Sequence, residues 1–162
     1  MNQAHWHLAL NHIPIVGVII GTFILYIGLF RKNLDVQKVA LWLFAAVAVV
    51  AIPALLTGEG AEEIVEDIAG IQKSIIENHE EVATITFWIL ILNGVLSLLW
   101  LYLQKIKPPS VKIVMYLIIV TAAASCIFSI LAANSGGNIR HTEFGDKVVS
   151  KFSNVMYFLK NS

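Results

Sequence analysis

The stretch that decides the fold of this chain is LALNHIPIVGVIIGTFILYIGLF, residues 8–30. It contains no Asp, Glu, Lys or Arg. A helix needs about 20 apolar residues to cross the hydrocarbon core of a bilayer, which is about 30 Å thick. Residues 8–30 therefore predict a membrane-spanning helix.

Three further stretches have the same character, at residues 39–56, 82–103 and 111–133, and Lys112, at the start of the last one, is the one charged residue in them. The whole chain is 57% hydrophobic and 14% charged, with a mean hydropathy of +0.76, whereas a soluble domain is roughly a quarter charged. These numbers favour a membrane protein over a soluble one.

Short connections join the first two spans and the last two, at residues 31–38 and 104–112. Pro108 and Pro109 end the third span, because proline cannot continue the backbone hydrogen-bond ladder. We therefore predict an all-α, up-down-up-down four-helix transmembrane bundle. This domain covers residues 1–145 and is followed by a C-terminal tail at residues 146–162.

The two short connections carry most of the basic residues near the spans and only one acid, Asp35. The basic residues are Arg31, Lys32, Lys38, Lys105, Lys107 and Lys112. Cytoplasmic loops are enriched in Lys and Arg, so this face is predicted to lie inside and both termini outside. The formal net charge is zero, and nothing in it favours nucleic acid as a partner.

The longer connection between spans two and three has apolar residues at nearly helical spacing over residues 61–78. Its other face is mostly acidic. We expect an amphipathic helix that lies over the outer end of the bundle. A solvated cap with no other role is the alternative interpretation.

All five histidines fall on the predicted outer face: His5, His7, His12, His79 and His141. They come from helices one, three and four, and the topology returns each of them to the same side of the membrane. Each one alone could simply anchor a helix at the headgroups. As a set they predict a bound metal centre.

His12 is expected to lie about one turn inside the membrane boundary. A buried imidazole there needs partners for both nitrogens. A metal would satisfy one, and Asn11 or Glu80 could satisfy the other.

Haem b is the first choice of centre, because it needs two axial histidines from different helices. The chain has one cysteine and so lacks the Cys-x-x-Cys-His motif of covalent attachment. Gly17, Gly21 and the small residues at 121–125 offer closely approachable walls, and Arg140 could pair with a propionate. One or two haems are predicted, with axial ligands drawn from His7, His12, His79 and His141.

Two alternatives stay open. A non-haem iron, zinc or copper ion could be held by the histidines with carboxylates; the candidate carboxylates are Glu62, Glu66, Glu80 and Glu143. The same acids could equally form a solvated face, in which case the chain would be a cofactor-free structural subunit.

Several of these residues resemble a family of small, uncharacterised bacterial four-helix membrane proteins. The matching features are an H-x4-H-x-P first helix (His7, His12, Pro14), a turn at Thr57–Gly58, a histidine at the start of helix three (His79), and a Gly-Gly turn before a last histidine (Gly136, Gly137, His141). The chain departs from the family at Leu8, where the family usually has proline. The resemblance implies a bacterial inner membrane and a histidine pattern suited to haem b.

These features together predict a multi-pass membrane b-type cytochrome, or a cytochrome-like subunit, that carries electrons near the periplasmic face. Its expected partners are membrane lipid, other subunits of a membrane complex, and a quinol or periplasmic electron carrier. The sequence shows no nucleophile–base set, phosphate loop or dinucleotide motif. An electron-transfer subunit is therefore favoured over an independent enzyme.

Overall fold

Long helices make up the body of this protein. The computed structural model describes the backbone of residues 3–66, 73–106 and 108–160, and the side chains of residues 6–58, 60–61, 73–106 and 108–137. In chain order the helices are α1 (Gln3–Leu10), α2 (His12–Phe30), α3 (Leu34–Glu66), α4 (Lys73–Ile106) and α5 (Val111–Lys160). Only Asn11 separates α1 from α2, so these two helices form the first long segment together.

The break at Asn11 has its cause in Pro14. Proline has no N–H to donate to the carbonyl of Leu10, and its ring crowds that carbonyl. The backbone of Asn11 nevertheless stays in the α region, at φ −63° and ψ −28°, and its N–H donates to the His7 carbonyl at 2.9 Å. Because His7 and Asn11 are four residues apart, they lie on the same face of this segment.

Two short turns join the helices at one end of the bundle, which we call the basic end. At the first turn the Asn33 side-chain oxygen accepts hydrogen bonds from the N–H groups of Asp35 and Val36, at 3.0 and 3.2 Å, and so caps the start of α3. At the second turn the Val111 N–H donates to the Pro108 carbonyl at 3.1 Å. Both connections are as short as the sequence predicts.

The helices pack as a closed ring. Helix α2 packs on α3, α3 on α4 and α4 on α5, and a contact between α2 and α5 closes the ring, while α1 packs on α3. Four segments of the described chain are long and apolar enough to cross a membrane: Trp6–Phe30, Leu34–Gly58, Lys73–Ile106 and Val111–Gly137. The predicted up-down-up-down four-helix bundle is confirmed.

Large apolar side chains cover the outside of the bundle. Phe23 is 67% exposed, Val49 66% and Val120 66%, which suits contact with lipid and would be unfavourable in water. Close to the basic end the exposed residues include aromatic ones, as in the aromatic belts at membrane interfaces: Tyr26, Trp42, Tyr102 and Tyr116. The chain is a multi-pass membrane protein.

The opposite end, which we call the histidine end, differs from the sequence-based expectation in its helix boundaries. The expected separate helix over residues 61–78 is not what the described parts show, because Ala61–Glu66 is the last part of α3 and residues 73–78 are the first part of α4. The expected turn at Thr57–Gly58 is wrong as well, since α3 runs through it. No proline follows Pro53 in this region, so nothing forces α3 to end there.

Helix α5 is also longer than expected. Gly136 and Gly137 lie inside it and form no turn, and the segment predicted as a tail at residues 146–162 is helical as far as Lys160. No proline follows Pro109, so the backbone ladder can continue. At about 1.5 Å per residue, a helix of 50 residues is about 75 Å long, more than twice the thickness of the hydrocarbon core.

The interior of the bundle changes character along its length. Towards the basic end it contains large side chains that are almost fully buried: Leu25, Leu41, Phe44, Trp100 and Ile118. Towards the histidine end many buried residues are small or polar: Ala51, Ala54, Thr86, Ser125, Ser129, Ala132 and Ser135. Val18, Ile76 and Leu90 are larger side chains buried in the same region. We call these two regions the basic half and the histidine half, with the buried Asn93 between them.

Candidate metal centre at the histidine end

Two of the predicted histidines meet inside the histidine end. The rings of His7, on α1, and His79, on α4, have centroids 6.5 Å apart and planes inclined at 77°. Both side chains are partly buried. The fold therefore brings together imidazoles from the first and third spans, as the sequence predicts for this pair.

A backbone carbonyl holds the ring of His7. Its Nδ1 lies 3.0 Å from the carbonyl oxygen of Ala54 on α3. A carbonyl oxygen can only accept a hydrogen bond, so Nδ1 must carry the proton. In the neutral ring this leaves the lone pair on Nε2, which is the atom and the tautomer that a metal-binding histidine uses.

A hydroxyl group holds the ring of His79 in the same way. Its Nδ1 lies 2.9 Å from Oγ of Ser135 on α5, and this hydroxyl donates its own proton to the carbonyl of Ala132 at 3.0 Å. The oxygen of Ser135 therefore accepts from Nδ1–H of His79. His79 has the same tautomer as His7, again with its lone pair on Nε2.

Each imidazole also packs against a glycine. A Cβ atom added to Gly58 would lie 3.2 Å from Cε1 of His7, and one added to Gly136 would lie 3.0 Å from Cε1 of His79. Such distances are shorter than ordinary van der Waals contact, so any larger residue would push the ring away. These glycines, which the sequence suggested were turn residues, make room for the two rings.

The two helical hairpins of the chain therefore repeat one arrangement. In the hairpin of α1, α2 and α3, His7 near the start contacts Ala54 and Gly58 near the end. In the hairpin of α4 and α5, His79 near the start contacts Ser135 and Gly136. Sequence reasoning missed this repeat, although a histidine before one span and a glycine after the next, in both halves, was a usable signal.

The spacing of the two rings can be compared with known ligand geometry. Metal–nitrogen bonds are about 2.0–2.1 Å long, so two imidazoles on opposite sides of one metal ion have centroids about 6 Å apart, and two in neighbouring tetrahedral positions about 5 Å apart. The observed 6.5 Å is close to the first value. The centroid distance is therefore compatible with two imidazoles bound to one metal ion.

The other predicted site residues whose side chains the structure describes, His12 and Glu80, do not join this pair. His12 is exposed on the outside of the bundle, and its Nδ1 lies 3.2 Å from the carbonyl of Leu8 one turn earlier. The expected burial of His12, with Asn11 or Glu80 as its partner, is wrong. Glu80 is exposed as well.

The remaining predicted residues lie outside the described side chains: His5, Glu62, Glu66, Arg140, His141 and Glu143. Within residues whose side chains are described, no group of three or more His, Cys, Asp or Glu side chains could hold a metal ion. In this part of the chain the pair His7–His79 is the only predicted constellation that the fold assembles.

The sequence did not predict that three buried polar groups near this pair would lack a hydrogen-bond partner. The side-chain oxygens of Asn11, Ser125 and Ser129 are buried, and within the described residues they have no hydrogen-bond partner. Their signal in the sequence is weak, because serines on an apolar helix usually bond to a carbonyl of the preceding turn.

Comparison of the chain with models of protein families, with curated proteins and with solved structures finds no match. The resemblance to the four-helix family stays a prediction.

Proposed function

We propose that this protein is a membrane electron-transfer protein of the cytochrome b type, with one haem b between His7 and His79. The observation that carries the proposal is the pair of imidazoles 6.5 Å apart, each held through Nδ1 so that Nε2 is left to bind iron. When bound, haem would supply a one-electron redox couple at the histidine end of the bundle.

The chain's own residues would bind and orient the group. Ala54 and Ser135 fix the rotation and the tautomer of the two ligands, as partners of metal-bound histidines generally do. Gly58 and Gly136 allow the rings to sit close to the backbones of α3 and α5. Arg140, which precedes His141 on α5, is the candidate partner for a propionate.

The placement of the site supports an exchange of electrons at one membrane surface. The basic residues of the two short turns favour a cytoplasmic basic end, which would put the histidine end at the periplasmic face of a bacterial inner membrane. A quinol or a periplasmic carrier could donate or accept the electron there. In this proposal the protein acts as a subunit of a larger membrane complex.

The proposal is tested by the visible spectrum of the protein purified in mild detergent from cells supplied with haem precursors. We expect a Soret band and, after dithionite, a sharp α band of reduced haem b. His7→Ala and His79→Ala should lose both bands, whereas His12→Ala should keep them, because His12 lies on the outside of the bundle.

Two results would overturn the proposal. Colourless wild-type protein from haem-sufficient cells would exclude a haem, and stoichiometric zinc, copper or iron without a Soret band would identify a non-haem site instead. Retention of the wild-type spectrum in both His7→Ala and His79→Ala would show that a haem is bound elsewhere.

A further inference from the structure

Two serine hydroxyls on the inward face of α5 have no partner within the described protein. Ser125 and Ser129 are both 0% exposed, and the Oγ atom of each has no hydrogen bond to any described residue. The neighbouring Thr121 differs, because its hydroxyl donates to the carbonyl of Leu117 at 2.9 Å. Buried hydroxyls in proteins are nearly always bonded, to protein or to ordered water.

Hydrogen bonds between α4 and α5 give the depth of these two serines. From the histidine end inward the contacts are His79–Ser135 at 2.9 Å, Thr86–Phe128 at 3.1 Å and Thr121–Asn93 at 3.0 Å. Successive contacts are about seven residues, or about 10 Å, apart along each helix. Ser129 therefore lies at the depth of Thr86, and Ser125 lies between that level and Asn93.

The surroundings of these hydroxyls are uncharged. The buried residues of α3 in this half are the alanines Ala51, Ala54 and Ala61, and Val18 of α2 and Leu90 of α4 are larger buried side chains there. A third unpartnered oxygen, Oδ1 of Asn11, lies one helical turn inward of His7. A small neutral molecule that both donates and accepts hydrogen bonds suits such a set of groups, and water has these properties.

We propose that a file of hydrogen-bonded water molecules runs along α5 from Ser135 to Thr121, and that it carries protons between the histidine end and the middle of the bundle. The hydroxyls of Ser125 and Ser129, which have no partner within the described residues, each take a proton from the water on one side and pass their own proton to the water on the other, so no net bond is made or broken. This function is independent of the proposed haem and goes beyond electron transfer.

The proposed water file reaches the histidine end but not the basic end of the bundle. Beyond Asn93 the interior is filled by Phe44, Trp100 and Ile118, which are almost fully buried. The buried serines Ser135, Ser129 and Ser125 extend from the histidine end to mid-depth, and the large apolar side chains close the path to the basic end.

The test measures how fast silver ions reach cysteines placed along the file. Ser129→Cys, Ser125→Cys and Ser97→Cys are each made in a Cys126→Ala background. Ser97 is the matched control, because it is also 0% exposed but lies beyond Asn93, and its hydroxyl donates to the Asn93 carbonyl at 2.7 Å. After increasing times of exposure to silver, each variant is denatured and labelled with N-ethylmaleimide, which reacts only with cysteines that have not bound silver. The decrease of this label with exposure time gives the rate at which silver reaches the cysteine.

Thiol reactivity requires access to water. We expect Ser129→Cys to be blocked at least about tenfold faster than Ser97→Cys, with Ser125→Cys between them. Equal rates at all three positions would overturn the proposal. Size-exclusion chromatography and circular dichroism check that each variant is folded.

A second measurement uses the unmodified chain, so that no substitution can disturb the result. In lipid bilayers, solid-state NMR measures magnetisation transfer from water protons to individual residues. Transfer to Ser125 and Ser129 should build up faster than transfer to Ser97. Equally slow transfer to the three serines would contradict the water file, whether or not the protein binds haem.

Discussion

The basic half and the histidine half of this bundle are built from the same four helices but are packed differently. The basic half buries large side chains, among them Phe44 and Trp100, and one unpartnered buried polar atom is found there within the described residues, Nε1 of Trp100. The histidine half buries alanines and serines around the pair of His7 and His79, and the other unpartnered atoms lie there.

Under the proposed function, this difference places most of the stabilising packing in the basic half and the binding site in the histidine half. Apolar side chains that interdigitate give helix association by close packing, which is the main attraction between helices in lipid. Small and polar side chains give up part of that packing, and in return they leave room for imidazoles and for hydrogen-bonding ligands. We expect substitutions in the two halves to differ in size and in kind.

The largest effect should come from truncation of a large side chain in the basic half. Phe44→Ala removes a ring that is 1% exposed and lies against Gly21. It should lower the free energy of unfolding by about 3–5 kcal/mol, as Phe→Ala does in buried cores. Unfolding in mixed micelles with increasing denaturing detergent measures this change; a loss below about 1 kcal/mol would show that the basic half does not dominate stability.

A smaller loss is expected where two helices touch at a glycine. A Cβ added to Gly94 would lie 2.5 Å from Cβ of Ala48 and 3.2 Å from the Phe44 carbonyl oxygen, so Gly94→Ala must push α3 and α4 apart. Such overpacking costs about 1–3 kcal/mol. Gly137→Ala is the matched control, because nothing lies within 4 Å of its added Cβ, and the same unfolding assay should show little change or a slight gain.

A third substitution should change the histidine site more than the stability. The Cβ of Gly136→Ala would meet the imidazole of His79 at 3.0 Å, so the ring must shift by a few tenths of an ångström. We expect displaced ¹⁵N resonances of His79 and a cost of about 1 kcal/mol or less. The adjacent Gly137→Ala should leave those resonances unchanged; identical spectra for both variants would mean that Gly136 does not position the ring.

The smallest effect is expected for Ser129→Ala, and what matters is whether this substitution raises or lowers the stability of the protein. If Ser129 bonds to water, Ser129→Ala removes a hydrogen bond and lowers stability by about 1 kcal/mol or less. If its hydroxyl has no partner at all, replacement by a methyl group removes a desolvated polar atom and raises stability. Thermal unfolding of the variant decides between these outcomes, and a gain in stability contradicts the water file.

The four spans could be predicted because their length and lack of charge depend only on the bilayer. The continuation of α3 through Gly58 and of α5 through Gly136 could not be predicted, because these glycines are explained by contacts with His7 and His79 that the sequence does not show. The exposure of His12 was missed for a related reason. In a helix that is apolar all round, lipid-facing and inward-facing positions look alike, so the pattern does not reveal which way the helix is rotated.

The pair of histidines joins two separate hairpins, since His7 belongs to the first and His79 to the second. A ligand held by both rings would link the two hairpins, and its binding free energy would add to the free energy of unfolding of the whole protein. A ligand at a hundred times its dissociation constant contributes about 2.7 kcal/mol in this way. The stability of the histidine end would then depend on the concentration of that ligand, and without the ligand the two hairpins would separate first at this end.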